Sequence, residues 1–317
     1  QQNVIPGTDV ELGILGNVQQ VGHTGAFPNG TTAMAMSTTS CNPGVVNVPW
    51  LAPMQENHPF ISFLVARESN GRMEQISDRS YVKHGFFALS SSQCTPCQNP
   101  SNGTFLGMGC SDTYGVGNNG DNFWLGPPTE IDPWLGEWDA KCSLFDNGIN
   151  GGGGQCDGNR TYSSSQANSL GPIGNRVTMS DADLNTPGTF YYQGHYTVLG
   201  EPVGNRFNNT VSRLVIPSWN GSSWSTTEPP GQLDGSVLQR WSTMDDMDRQ
   251  SNGDLDGFVV VAVDASETSP GNWHYEYAIH NLDNSRGFDA LRIPLAGGAS
   301  VSNFGFHDID NDAGNDW

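Results

Sequence analysis

Forty glycines, set among dense Asn, Asp and Ser, constrain this 317-residue chain more than any single motif does. Glycine reaches positive φ without steric cost, and Asn, Asp and Ser bond back to their own backbone, so the mixture specifies many tight turns. Long helices would want Ala, Leu, Glu and Lys, which are too scarce here to sustain them. The 9 Trp, 8 Tyr and 14 Phe still supply large side chains for a core, which argues against global disorder. An all-β fold follows, expected as an antiparallel β-sandwich or jelly roll with long Gly/Asn-rich loops.

Individual strands are readable from alternation and punctuation. Residues 60–68 and 72–78 flank Ser69-Asn70-Gly71, a strong hairpin signal, and 81–90 reads as a third strand. Residues 190–199 and 213–217 are rich in aromatic or β-branched side chains. The run 258–264 is almost wholly apolar and is expected to be covered on both faces. In 272–280, Trp273, Tyr275, Tyr277 and Ile279 share one face, with His274, Glu276, Ala278 and His280 on the other. Segments 291–295 and 300–308 are expected as closing strands. The sequence stops at Trp317 after an acidic turn, where a sheet would want another strand, so a processed chain or an open sheet edge is expected.

All six cysteines precede residue 157, and the low-complexity stretch 147–165, which holds Cys156, leads into a cysteine-free remainder. The expected organisation is a disulfide-bearing β domain over 1–165 and a β-sandwich domain over 166–317, or one continuous β unit. Cys41, Cys94, Cys97, Cys110, Cys142 and Cys156 read as structural disulfides. Cys142 and Cys156 bracket the Gly151–Gly154 run and are expected to close that loop on themselves; pairing of the other four is open. A zinc site at Cys94-x-x-Cys97 lacks a second close pair, and a redox motif would open a helix where Pro96 and Pro100 make a loop.

Two lysines, Lys83 and Lys141, and 11 arginines face 33 acids, giving a formal charge of −20. Nucleic acid and anionic headgroups bind Lys/Arg clusters, so neither is an expected partner. The longest apolar run, 258–263, is far below the roughly 18 residues of a membrane span, so no membrane insertion is expected. Export is the expected localisation, secreted or cell-surface associated, with Gln1 resembling a residue left by signal-peptide removal.

Candidate chemistry is sparse. Gly115-x-Gly117-x-x-Gly120 matches a dinucleotide fingerprint, but Asn118, Asn119 and Asp121 read as a polar turn with no helix behind it. No nucleophile elbow, phosphate loop or paired-histidine zinc helix occurs. His58, His84 and His307, brought together from separate strands, would bind copper or zinc; otherwise they are buried, hydrogen-bonded histidines. Asp308, Asp310 and Asp312 place carboxylates at alternate positions and suit calcium, with 245–248 and 254–257 as a second acidic cluster. Glycosylation sequons begin at Asn29, Asn102, Asn159, Asn208 and Asn220.

Several phrases resemble an uncharacterised family of secreted bacterial proteins frequent in planctomycetes and other environmental bacteria. They are Ser40-Cys41-Asn42, Asn57-His58-Pro59, Lys83-His84-Gly85-Phe86, Gly109-Cys110-Ser111-Asp112, Asn272-Trp273-His274-Tyr275-Glu276-Tyr277 and Gly305-Phe306-His307-Asp308. The resemblance is spread along most of the chain and implies export and a shared β fold, with no established activity. Family members carry a second His shortly after the His-Asp pair, where this chain has Asp312, and run on for several strands beyond Trp317.

The functional expectation is a secreted, non-catalytic structural or surface protein, a filament or matrix subunit that self-associates and carries calcium and glycans. The alternative is a secreted copper or zinc enzyme using the three histidines. A carbohydrate-binding module with tryptophan platforms ranks third.

Overall fold

A computed structural model describes residues 3–51, 54–78, 81–85, 87–147, 155–251, 257–287 and 290–309. Its principal strands, in chain order, are β1 (Glu11–Thr24), β2 (Thr31–Cys41), β3 (Phe60–Ser69), β4 (Arg72–Gln75), β5 (Val82–His84), β6 (Ser111–Tyr114) and β7 (Leu125–Gly126). They continue as β8 (Val177–Ser180), β9 (Thr189–Thr197), β10 (Thr210–Trp219), β11 (Trp224–Thr227), β12 (Asp246–Gln250), β13 (Val259–Ser269) and β14 (Asn272–Asn281).

Local signals set the hairpins. Asn70 and Gly71 both take positive φ (53° and 78°), the pairing a two-residue turn between β3 and β4 requires. The chain is all-β, and three antiparallel sheets stack as layers. In the first, β1 pairs one edge of β2, while β6 and β8 divide the other edge between them. Register shifts after Leu12, Leu15 and Gln20 bulge β1, which adds twist and lets it wrap the core. The second sheet runs β11-β10-β9-β3-β5-β7, with β4 alongside β3. The third is the meander β12-β13-β14. Strands from before and after residue 165 pair within both of the first two sheets, so a boundary at 165/166 separates neither.

The middle sheet is the one covered on both faces. From β3, Ile61, Phe63 and Val65 face Leu12, Leu15 and Met36 of the first sheet. The alternate side chains Leu64 and Ala66 face Val237, Trp241, Val260, Ala262 and Ala278. Each large apolar side chain buried this way contributes about 1.5–3 kcal/mol. Asp181 pins the first interface with polar contacts, accepting from Thr32 Oγ1 at 2.9 Å and Trp224 Nε1 at 2.9 Å, with His23 Nε2 at 2.8 Å.

Four strand expectations require correction. The run 258–264, which forms β13, is covered on one face only: Val260 and Ala262 are buried, while Val259, Val261 and Val263 are partly exposed. Residues 81–90 form only the short β5, because Ala88 bonds to the Gly103 carbonyl and leaves the sheet. The segments 291–295 and 300–308 are not strands and lie exposed, apart from half-buried Asp308. One helical turn, Val116–Asn119, does follow β6 at the glycine fingerprint, where a plain turn was expected. Gly120 ends it, 2.8 Å being all the room between its absent Cβ and Ala35.

Candidate functional site

The structure joins Cys41 to Cys94, Cys97 to Cys110 and Cys142 to Cys156. Disulfides of this kind persist in oxidising surroundings and fit an extracellular protein. Among the described residues, no helix is long and apolar enough to cross a membrane.

The singled-out histidines do not behave alike. His58 and His84 meet in the interior, His58 Nε2 lying 3.0 Å from His84 Nδ1. β3 and β5 bring them together, since Phe60 pairs with His84 and His58 lies two residues before Phe60. Both rings stack edge-on against Phe60, and Trp138 and Phe145 complete the wall around His84. Burial pushes the His58 imidazole down to about 3 and holds His84 well below the usual histidine range. Both are therefore neutral, one donating and the other accepting. Gly126 is required beside them, because a Cβ there would lie 2.6 Å from His84 Nε2.

His307 lies exposed in the C-terminal segment. Among the described residues, no three His, Cys, Asp or Glu converge as a group able to hold a metal ion. Asp308 is partly buried, whereas Asp310, Asp312 and 254–256 lie outside the described residues. His274 contacts Glu276 at 2.9 Å on the surface, while His280 turns inward to Ser236 Oγ at 2.8 Å. Of the sequon asparagines, Asn29, Asn102, Asn159 and Asn220 are exposed; Asn208 is partly buried and donates to Asp9 at 3.0 Å.

Lys83 is the site residue that sequence reasoning passed over. It is fully buried (0% exposed), on the face of β5 opposite His84. Its Nζ donates to the His84 carbonyl at 2.6 Å and lies 5.0 Å from the Tyr114 ring centroid and 5.9 Å from that of Trp124. Burial lowers the ammonium to about 7 despite the opposing fields of Asp121 and Asp112. Asp112, itself buried, is pushed up to about 6 by desolvation, partly offset by the Leu89 amide at 2.8 Å. A lysine within the aromatic-rich run Tyr81-Val82-Lys83-His84-Gly85-Phe86-Phe87 was the available signal, but charged residues are exposed by default.

A second sealed network lies between the middle and third sheets. Gln193 Oε1 accepts from the Val237 amide at 2.7 Å, and His195 Nδ1 meets Thr210 Oγ1 at 2.7 Å. Burial depresses His195 to about 3 and His280 to about 4. Nearby, fully buried Glu201 accepts from the Val10 amide at 2.7 Å and from Asn209, and burial raises its carboxyl to about 7.

The open ground lies elsewhere. On the outer face of the third sheet, Val261 pairs with Ile279 and Val263 with Tyr277, beside Tyr275 and Trp273, which are 52% and 54% exposed. Residues 290–294 cross this face and enclose a groove of about 600 Å³ with it. Such a face, apolar on β13 and β14 and acidic on β12 at Asp246 and Asp248, has the chemistry of a contact surface. The chain matches no family model, no curated protein and no solved structure.

Proposed function

We propose that this is an extracellular, non-catalytic structural or surface subunit that self-assembles into filaments or matrix. The observation that carries the reading is the apolar outer face of the third sheet. The strongly perturbed groups, His58, His84, Lys83, Asp112, His195 and Glu201, are all buried away from any substrate. Perturbed titration often marks catalysis, but here it accompanies closure. The −20 charge opposes nonspecific aggregation, so association needs specific contacts and is favoured by screening.

Electron microscopy of the native protein across sodium chloride and calcium concentrations tests this. Linear assemblies that grow with salt are expected; monodisperse monomers throughout would end the proposal. Calcium held by Asp308, Asp310 and Asp312, and glycans on the exposed sequons, belong to the same reading.

One observation favours the copper or zinc alternative. His84 Nε2 is buried without a hydrogen-bond partner, on a ring whose Nδ1 lies 3.0 Å from His58 Nε2. Stoichiometric copper or zinc in elemental analysis of native protein would promote that reading. Carbohydrate stacking has less support, because Trp50, Trp134, Trp138, Trp224 and Trp241 are buried in the interior.

A further inference from the structure

β14 is an edge strand of ten residues: β13 pairs one side, and among the described residues no strand pairs the other. Long edges offer unpaired N–H and C=O groups to any extended segment, and natural proteins blunt them with lysine, proline or bulges. β14 carries neither lysine nor proline, and the one irregularity in its pairing lies in β13, between Glu267 and Ser269 at the hairpin end. Its outward side chains are Trp273, Tyr275, Tyr277 and Ile279, with Tyr275 and Tyr277 stacked at 6.3 Å.

The same chain carries a segment suited to such an edge. In Ala290–Ala296, Leu291, Ile293 and Leu295 recur at every second residue, the period of a strand with one apolar face. They remain 43%, 42% and 57% exposed, so the segment's passage across its own sheet face buries them only in part. It contains Arg292 and no acid, in a chain of 33 acids, and the third sheet offers Asp246, Asp248, Asp264, Glu267 and Glu276. Charge and apolar pattern are thus complementary between this segment and the third sheet.

We propose that the open edge of β14 accepts residues 290–296 of a second copy as an added strand. This rests on the self-assembly reading and supplies its contact. The donated strand bonds through the backbone groups of 291, 293 and 295, laying its apolar side chains beside Tyr275, Tyr277 and Ile279. Pro294 then lies on the far side, where its missing N–H costs no ladder bond and where it stops a further strand from adding. Donor and acceptor are different surfaces, so the contact is heterologous and propagates unless it closes into a ring.

Complementation tests the contact. Ile293→Lys should disable the donor and Tyr275→Lys the acceptor; both side chains are at least two-fifths exposed, and unchanged melting curves would verify folding. By light scattering in high salt, the native chain should form large assemblies and each variant should stay monomeric. An equimolar mixture should give a species of twice the monomer mass, joined through its one intact pair of surfaces. Assembly should also slow deuterium exchange of the β14 amides. Variants that assemble like the native chain, or a mixture that stays monomeric, would overturn strand donation while leaving self-assembly standing. A native chain that is monomeric at every salt concentration would overturn both.

Discussion

The two-sheet sandwich and the C-terminal meander treat the same residue types in opposite ways. In the sandwich, Lys83, His58, His84 and Asp112 are enclosed, while the apolar side chains of β3 and β9 are covered on both faces. In β13 and β14 the charged residues reach solvent, and one apolar face stays open. The sandwich accepts electrostatic cost in exchange for closure, and the meander leaves apolar surface unburied. An enclosed polar group must be matched within its own chain, whereas an open apolar face is completed by whatever lies against it. Under the proposed self-assembly, the contrast assigns stability to one region and association to the other.

Reduction should give the largest separation between the two regions. All three disulfides close loops of the sandwich; in the chain-entropy model the spans of 13 and 14 residues contribute about 3 kcal/mol each and the span of 53 about 4 kcal/mol. Dithiothreitol should unfold the first two sheets at temperatures where the oxidised protein is intact, and alkylation without reductant should label no cysteine. Labelling of native protein would break the comparison at its base.

Acid should act next, again on enclosed groups. His58, His195 and His280 have folded values near 3 to 4, below the ordinary 6.5, so the unfolded chain takes up protons first. Their contribution is intact above about pH 6.5 and falls by about 1.4 kcal/mol per pH unit for each histidine down to the folded values. Glu201 and Asp112 oppose this, because raised carboxyls favour folding below about pH 4 and lose that contribution as pH rises through 6 to 7. Denaturant midpoints between pH 7 and 4.5 should decrease, and a flat profile would show the histidines to be solvated.

Lys83→Met sharpens the contrast within one side chain. The folded ammonium is depressed to about 7, so stability is lost as pH falls from about 10.5 toward that value. Methionine of similar length should raise stability by about 1–4 kcal/mol at neutral pH, with the gain shrinking by pH 10. Trp273→Ala, on the open meander face, should change stability by no more than about 0.5 kcal/mol. Calcium should act more weakly still: chelation should lower the melting temperature through mass action, and Asp310→Asn should remove most of that sensitivity. Identical melting curves with chelator and with millimolar calcium would rule that site out.

Much of the fold was legible because its signals are local. The Ser69-Asn70-Gly71 turn, the alternation in 272–280 and the short Cys142–Cys156 span each depend on neighbouring residues. Coverage was not legible, since it depends on a layer contributed by distant chain. The apolar run in β13 looks enclosed and is not, while β3, less uniformly apolar, has a layer on each side. Lys83 illustrates the same point at the site. Its enclosure needs Tyr114 and Trp124, which neither precede nor follow it closely. The pairing of His58 with His84 was legible only as one histidine at the entry to the expected strand 60–68 and another inside the expected strand 81–90.

The central ladder of the middle sheet carries a consequence for how such a chain is made. Phe63 pairs with Gly194, and β2 must wait for β8 to complete its far edge. Pairings so distant in sequence make folding slow, because loop-closure entropy is spent before the contacts that offset it form. A nascent chain therefore holds one edge of β3 and part of one edge of β2 unpaired until β8 and β9 emerge. In that interval the sparse lysines and abundant carboxylates give each unfinished chain a strongly negative charge that repels its neighbours. The composition thus serves the unfolded molecule as well as the finished one, guarding exposed strands during the time their topology demands.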